Sequence, residues 1–323
     1  MLGISDPDGG YDTTHKIIYI VGTIALAVKI PMKLLTRSTL LHLRFPFSLL
    51  LLPVFIFALS QSRVVDPINA LLVFLSWHFF IYPASNGYNS YFDKDTGSIA
   101  LIKEPPPVDK GLYYTSLLFE LAGLLLALLV NPEFCFSVFL YGLLSKMYSH
   151  PRIRLKKHPV WSFLVVFFFQ GAFVYWSSYA AVSGASMYTH WSLNGDFRVA
   201  GLICSFLIGA SYPLTQVYQH EEDAKRGDRT LSLTLGTMGS FRFSAIMFML
   251  GTFSMYRYWQ DLGQAVNFYI FLACMLPVAG YFILWYVRVM RDRKEANFQN
   301  MSRMTFISAG MMLIYFTLIW IRS

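Results

Sequence analysis

Charge is what this chain most lacks: Asp, Glu, Lys and Arg make up 14% of its 323 residues, against about a quarter in an ordinary soluble domain. With 55% hydrophobic residues beside it, that shortage excludes an aqueous globular fold and makes a lipid bilayer the natural solvent. Cysteine is rare too. Cys135, Cys204 and Cys274 fall in or beside predicted helices with no metal-ligand spacing, and read as packed thiols. Gly-rich phosphate loops, zinc motifs, coiled-coil heptads, low-complexity tails and internal repeats are all missing, so one compact domain is the default.

What is there is a series of long apolar blocks, each close to the ~20 residues a helix needs to cross a ~30 Å hydrocarbon core. They predict nine spanning helices near residues 39–60, 66–89, 110–131, 132–149, 159–183, 197–220, 239–259, 264–288 and 303–321. The expected fold class is all-α, a polytopic membrane protein with nine transmembrane helices in one bundle. Residues 16–35 are also apolar, but their uncharged run, 17–28, is too short to cross and is followed by Lys29, Lys33 and Arg37. This stretch predicts an interfacial helix lying on the membrane, with a tenth span as the alternative. Asp6, Asp8 and Asp12 stand where a secretory signal needs basic residues, and no small-residue cleavage site follows. The expected division is a cytoplasmic N-terminal segment, 1–37, and a nine-helix domain, 38–323.

Basic residues set the orientation, because Lys and Arg collect on cytoplasmic loops. The segments before helix 1 and after helices 2, 4, 6 and 8 hold most of the 26 basic residues, while the opposite segments hold only Arg63, Arg257 and Arg322. The N-terminus and the loops after the even-numbered helices are therefore expected in the cytoplasm. The net charge of +8 belongs to this asymmetry and to anionic lipid headgroups. It implies membrane lipid as a partner, no nucleic acid and no obligate protein partner.

The few acidic residues are unevenly placed. Asp93, Asp95, Glu104, Glu221, Glu222, Asp223 and Asp228, seven of 18, sit in two loops on the same predicted side. Asn86, Asn89 and Asp93, spaced i, i+3 and i+7, share one helix face. Gln216, Gln219 and Asp223 repeat that spacing at the end of helix 6. Polar amides inside a span are costly unless paired or used, although a solvated boundary explains either segment taken alone. Mg²⁺ takes hard oxygen ligands, usually one or two carboxylates, with water and phosphate oxygens completing its shell. Two such clusters facing each other would hold Mg²⁺ on a diphosphate and neutralise the charge that grows as it leaves. The candidate metal ligands are Asn86, Asn89, Asp93, Asp95, Gln219, Glu222 and Asp223. Lys94, Lys103, Lys225, Arg226 and Arg229 would bind the remaining oxygens. Asp228 reads as a solvated loop charge, Lys157 as a product of the positive-inside rule, and His78 as a packing histidine. Glu120 reads either as a group that orients an acceptor or takes a proton, or as a protonated acid hydrogen-bonded to a neighbour.

At these residues the chain resembles the UbiA superfamily of intramembrane prenyltransferases. The superfamily's first motif, Asn-x-x-x-Asp-x-x-x-Asp, is matched by Asn89 and Asp93, while its third position falls on Gly97, with Asp95 as a substitute. The second, Asp-x-x-x-Asp before Gly-x-x-Thr-Leu, is matched by Asp223, Gly227, Thr230 and Leu231, with Gln219 in place of the first Asp. Leu43-Arg44-Phe-Pro46 resembles the Arg-Pro segment that opens the superfamily's first helix, and the stretch from Tyr148 to Lys156 resembles its loop after helix 4. Glu104-Pro-Pro-Pro107 departs from the usual Arg-Pro-Leu-Pro, with Lys103 supplying the cation. In motif style the chain is most similar to the naphthoate-type, menaquinone-pathway branch.

The resemblance, over residues 38–321, implies an Mg²⁺-dependent prenyltransferase with a prenyl diphosphate donor and a lipophilic or aromatic acceptor. It implies catalytic roles for Asn89, Asp93 and Asp223, and diphosphate binding by Arg44, Lys103, Lys156, Lys225 and Arg229. The alternatives are a terpene cyclase using the same diphosphate site and, in another class, a secondary transporter. Transporters usually place the site near the midplane on broken helices, whereas these clusters sit at helix ends.

Overall fold

Lipid offers no hydrogen-bond partners, so a chain that spans it must satisfy its backbone within helices. The computed structural model describes residues 34–193 and 195–323; the expected interfacial helix and the rest of the N-terminal segment before residue 34 lie outside them. Among the described residues nine long helices follow one another: α1 (Arg37–Gln61), α2 (Pro67–Asp93), α3 (Lys110–Val130), α4 (Pro132–Ser149), α5 (Pro159–Ser183), α6 (Gly195–Gln216), α7 (Leu231–Asp261), α8 (Ala265–Arg291) and α9 (Phe298–Arg322). Eight are long and apolar enough to cross a bilayer; α4, with 18 residues that include Glu133 and Lys146, is the exception. The protein is an all-α, multi-pass integral membrane protein.

Helix ends follow local chemistry. The side chains of Asp66, Asp109, Asn131, Thr230 and Asn297 each accept a hydrogen bond from a backbone N–H in the first turn of the helix that follows. Asn131 alone joins α3 to α4, so the two run antiparallel. Each long helix packs on the next, and α9 packs back on α1. Leu118, Leu121, Leu125 and Leu128 of α3, three or four residues apart, remain exposed, which is the spacing of a lipid-facing stripe.

Regular helix is interrupted in α1, α2 and α5. In α1, Arg44 adopts a left-handed backbone, φ 50°, and Pro46 opens the next segment. The break turns Arg44 toward α2, where its Nη2 donates to the Asn86 carbonyl at 3.1 Å, while Asn86 Nδ2 donates back to the Leu43 carbonyl at 3.3 Å. Helices α2 and α5 carry π-helical stretches, Leu75–Ile81 and Val166–Phe173. In the second, the Ala172 N–H donates to Ser205 Oγ of α6 at 2.9 Å. A side chain on neighbouring Gly171 would run into the Ser205 backbone, so α5 and α6 touch main chain to main chain.

Two expected boundaries shift. Helix α6 ends at Gln216 in a tight 3₁₀ turn, Pro213–Gln216, and a separate helix, His220–Arg226, begins after Gln219. Gln216, Gln219 and Asp223 therefore do not share the face of one continuous helix, because Pro213 has no N–H to continue the α-helical ladder. Helix α7 begins at Leu231, eight residues before the expected start, with a kink at Gly236, φ 67° and ψ 169°, a conformation open to glycine.

Inside the bundle Glu120 of α3 pairs with Lys146 of α4. Gly142 lies beneath the carboxylate, where any side chain would collide with it. The intramembrane acid is thus joined to a neighbouring helix through Lys146.

Gly171→Leu should force α5 and α6 apart and lower stability by about 1–3 kcal/mol, read as earlier thermal unfolding in detergent. Gly280→Ala in α8, where nothing lies within 4 Å of the added carbon, should unfold like the wild type. Equal unfolding of the two variants would mean that α5 and α6 do not meet at Gly171.

Candidate active site

The ends of α2 and α6, with the loops that follow them, border a polar cavity of ≈240 Å³. Residues singled out from the sequence line it together, among them Arg44, Asn86, Asn89, Asp93, Asp95, Lys156, Gln216, Gln219, Asp223 and Arg226. Lys103, Lys225 and Arg229 do not; all three are exposed outside it. Helix α2 stays regular through Asp93 and ends only at Lys94, φ 49°, which keeps Asn86, Asn89 and Asp93 on one face. Asn89 Nδ2 donates to Ser149 Oγ at 2.8 Å, leaving its amide oxygen for the cavity.

The charged groups form one network. Asp93 pairs with Lys156 and stands 3.6 Å from Arg154. Arg154 donates two hydrogen bonds, each 2.8 Å, to the carboxylate of Asp228. Arg226 pairs with Asp95, reaches Asp223 at 3.0 Å, and approaches Asp228 and Glu222 at 3.8 and 3.9 Å. Thr230 Oγ1 donates to Asp223 Oδ2 at 3.3 Å. Five carboxylates thus share three cations, and a fourth, Arg44, lines the same cavity and is drawn to Asp95 and Asp93. Burial pushes the Asp223 carboxyl above its ordinary range, against the opposing pull of Arg226, Lys156 and Thr230. Burial also pushes Asp228 up, but the Arg154 hydrogen bonds and the charges of Lys156, Arg154 and Arg226 outweigh it and hold the group below that range.

Asp228 is not the solvated loop charge its position suggested. Its side chain is 0% exposed, because Gly227, φ 72°, turns the chain back and Arg154 meets it. The two incomplete motif positions prove to be neighbours. Glu222 Oε1 accepts from the Thr96 N–H at 3.3 Å, and a carbon added to Gly97 would lie 2.8 Å from Glu222 Oε2. Gln219 Nε2 donates to the Ser98 carbonyl at 3.1 Å. Glu222 therefore ties one acidic loop to the other instead of lining the cavity.

Among the described residues no three acidic, His or Cys groups converge closely enough to hold a metal ion unaided. Asn89, Asp93, Asp95 and Asp223 do suit Mg²⁺ bound jointly with a phosphate, since that ion needs only one or two carboxylates and fills its shell from water and phosphate oxygens.

A second, apolar cavity of ≈300 Å³ abuts the polar one, and Phe47, Val166, Gln170, Tyr212 and Thr215 line both. Sequence reasoning gave no role to Tyr148 and Tyr212, whose hydroxyls lie 3.0 Å apart at this junction, or to Gln170. Nor did it mark the buried pairing of Arg154. The one available signal was the position of Tyr148 and Arg154 in the conspicuous stretch after helix 4.

Asp228→Asn breaks a buried charge pair and should cost about 3 kcal/mol of stability. Since the folded protein holds Asp228 below the ordinary range, the pair's contribution is present above pH ~4 and is lost as the pH falls through the lowered value. Thermal unfolding across that range should show an acid-side slope in the wild type that is weaker in the variant.

A sequence model of the UbiA prenyltransferase family matches residues 50–310. No curated protein matches the sequence significantly. Among solved structures, a UbiA homologue from Archaeoglobus fulgidus bound to DMAPP and Mg²⁺ superposes with a TM-score of 0.65 at 16% identity, covering 87% of this chain and 98% of that one. The same homologue bound to GPP and Mg²⁺ gives 0.64 at 17% identity, covering 87% and 99%. A structure of digeranylgeranylglyceryl phosphate synthase gives 0.59 at 17% identity, covering 89% and 99%. With a family match over most of its length and both acidic loops bordering one cavity, the chain belongs to the UbiA prenyltransferase family.

Proposed function

We propose that the protein is an Mg²⁺-dependent intramembrane prenyltransferase that ionises a prenyl diphosphate and passes the prenyl group to a lipophilic or aromatic acceptor. The observation that carries this reading is the junction of two unlike cavities, one charged and one apolar, through five shared residues. A prenyl diphosphate has the same two parts. The GPP and DMAPP bound with Mg²⁺ in the Archaeoglobus fulgidus homologue support the donor and the ion.

In this reading Asn89, Asp93 and Asp95 from one loop, and Asp223 with help from Gln219 from the other, hold Mg²⁺, which supplies charge neutralisation on the departing diphosphate. Arg44 lines the cavity without an ion-pair partner among the described residues, so its guanidinium is available to diphosphate oxygens. Lys156 and Arg226, now on carboxylates, can turn to the same oxygens. Lys103, Lys225 and Arg229 sit outside and attract the anionic donor rather than grip it. Phe47, Tyr148, Phe169 and Tyr212 line the polar cavity, where aromatic rings would stabilise an allylic cation. The hydrocarbon tail lies in the apolar cavity, away from water. The positive loops assign the N-terminus and both acidic loops to the cytoplasmic side, and residues 38–323 form the catalytic domain.

The test is transfer of a labelled prenyl group from its diphosphate to acceptors in a membrane extract, measured by lipid mass spectrometry. Asp93→Ala and Asp223→Ala should each reduce transfer by at least ~100-fold while leaving thermal unfolding measurable. Full transfer by both variants would sink the assignment. A rearranged hydrocarbon made from the diphosphate alone would replace it with a cyclase.

A further inference from the structure

At the bundle end opposite the acidic loops lies another polar cavity, of ≈510 Å³, bordered by the ends of α1, α5, α7 and α9 and the starts of α6 and α8. Basic residues are few at that end: Arg63, Arg257, Arg322 and Arg198, the last lying outside the cavity and donating to the Trp191 carbonyl at 3.3 Å. Arg257 lies outside the cavity and pairs with Asp261 at 3.0 Å. Arg63 and Arg322 line the cavity together with Asp196, and none of these three has an ion-pair partner among the described residues.

A buried group adds a second, independent observation. Tyr175 is 0% exposed and lines the same cavity, and its hydroxyl has no hydrogen-bond partner among the described residues. Its neighbour Tyr258 is already committed, donating to Gln61 Oε1 at 2.6 Å. A buried hydroxyl left unpaired costs free energy that a ligand oxygen would recover.

Two guanidiniums, one carboxylate and a spare hydroxyl therefore face one recess at the level of the lipid headgroups. Guanidinium matches phosphate in geometry and charge. The carboxylate repels a purely anionic headgroup, and it gains a hydrogen bond only from an amine that carries N–H, which choline lacks. We infer that this cavity binds the headgroup of an ethanolamine phospholipid from the leaflet opposite the active site. The phosphate sits on Arg63 and Arg322, the ammonium on Asp196, and an ester or phosphate oxygen accepts from the Tyr175 hydroxyl.

Native mass spectrometry of the full-length protein, released from nanodiscs of phosphatidylcholine doped with phosphatidylethanolamine or phosphatidylglycerol, tests this. One phosphatidylethanolamine should be retained in preference to either competitor. Asp196→Asn should cut its retention about tenfold, the loss expected for one charge-assisted contact, and Arg63→Gln combined with Arg322→Gln, which removes two, about a hundredfold. Tyr175→Phe should weaken it less. Positions 63, 196 and 322 are exposed, so unfolding temperature and any prenyl transfer should be unchanged in those variants. Equal retention of phosphatidylglycerol, or retention unaffected by the double Arg variant, would overturn the inference. Displacement of the lipid by soluble phosphoethanolamine would overturn the lipid as the source.

Discussion

Carboxylates that converge at the edge of a hydrocarbon slab repel one another, and the cavity exists only because cations stand between them. Two unit charges 4 Å apart interact by about 4 kcal/mol at an effective dielectric of ~20, so five acids could not gather here unaided. Arg154, Lys156 and Arg226 make the gathering possible, and each bears the consequences. Arg154 takes a left-handed backbone, φ 47°, to present its guanidinium to Asp228. Lys156, with 9% of its side chain exposed, gives up most of its hydration to reach Asp93. Through these contacts the loop between α4 and α5 is pinned to both acidic loops at once.

Several irregular stretches of backbone carry residues that face the cavities. Arg44 follows a break in α1, Val166, Phe169 and Gln170 belong to the π stretch of α5, and Gln216 ends the tight turn that closes α6. A π stretch widens the helix and re-aims its side chains, and such stretches are frequent at functional sites. Pro46 and Pro213 stand beside two of the interruptions and free the chain from regular hydrogen bonding there. Local departures from the helix thus help determine which side chains line the polar cavity and which the apolar one.

Much of the bundle was legible in the sequence because block length and loop punctuation both register there. The limits of α3, α4 and α5 fall within a residue of those expected, since Asn131-Pro132 and Pro159 mark their ends chemically. Helices α6 and α7 were misjudged because Pro213 and Gly236 act through backbone geometry inside apolar sequence, where hydropathy does not respond. The first acidic motif could be read as a helix face because α2 stays helical through Asp93. The second could not, since the chain breaks after Gln216. Among the cations, charge alone could not separate buried Lys156 and Arg154 from exposed Lys103, Lys225 and Arg229, because all obey the same positive-inside bias. Asp228 was misread for a related reason: its partner Arg154 lies 74 residues away.

The contact between Gly97 and Glu222 ties two distant sequence positions into one unit of inheritance. A larger side chain at 97 is tolerated only if the acid at 222 withdraws, and loss of that acid leaves a void that an Asp at 97 could fill. Neither change is neutral alone, so the positions are expected to change together across descendants of this chain. A lineage that restored the usual third Asp of the first motif would have to move the Glu222 carboxylate aside, and so loosen the clasp between the two loops.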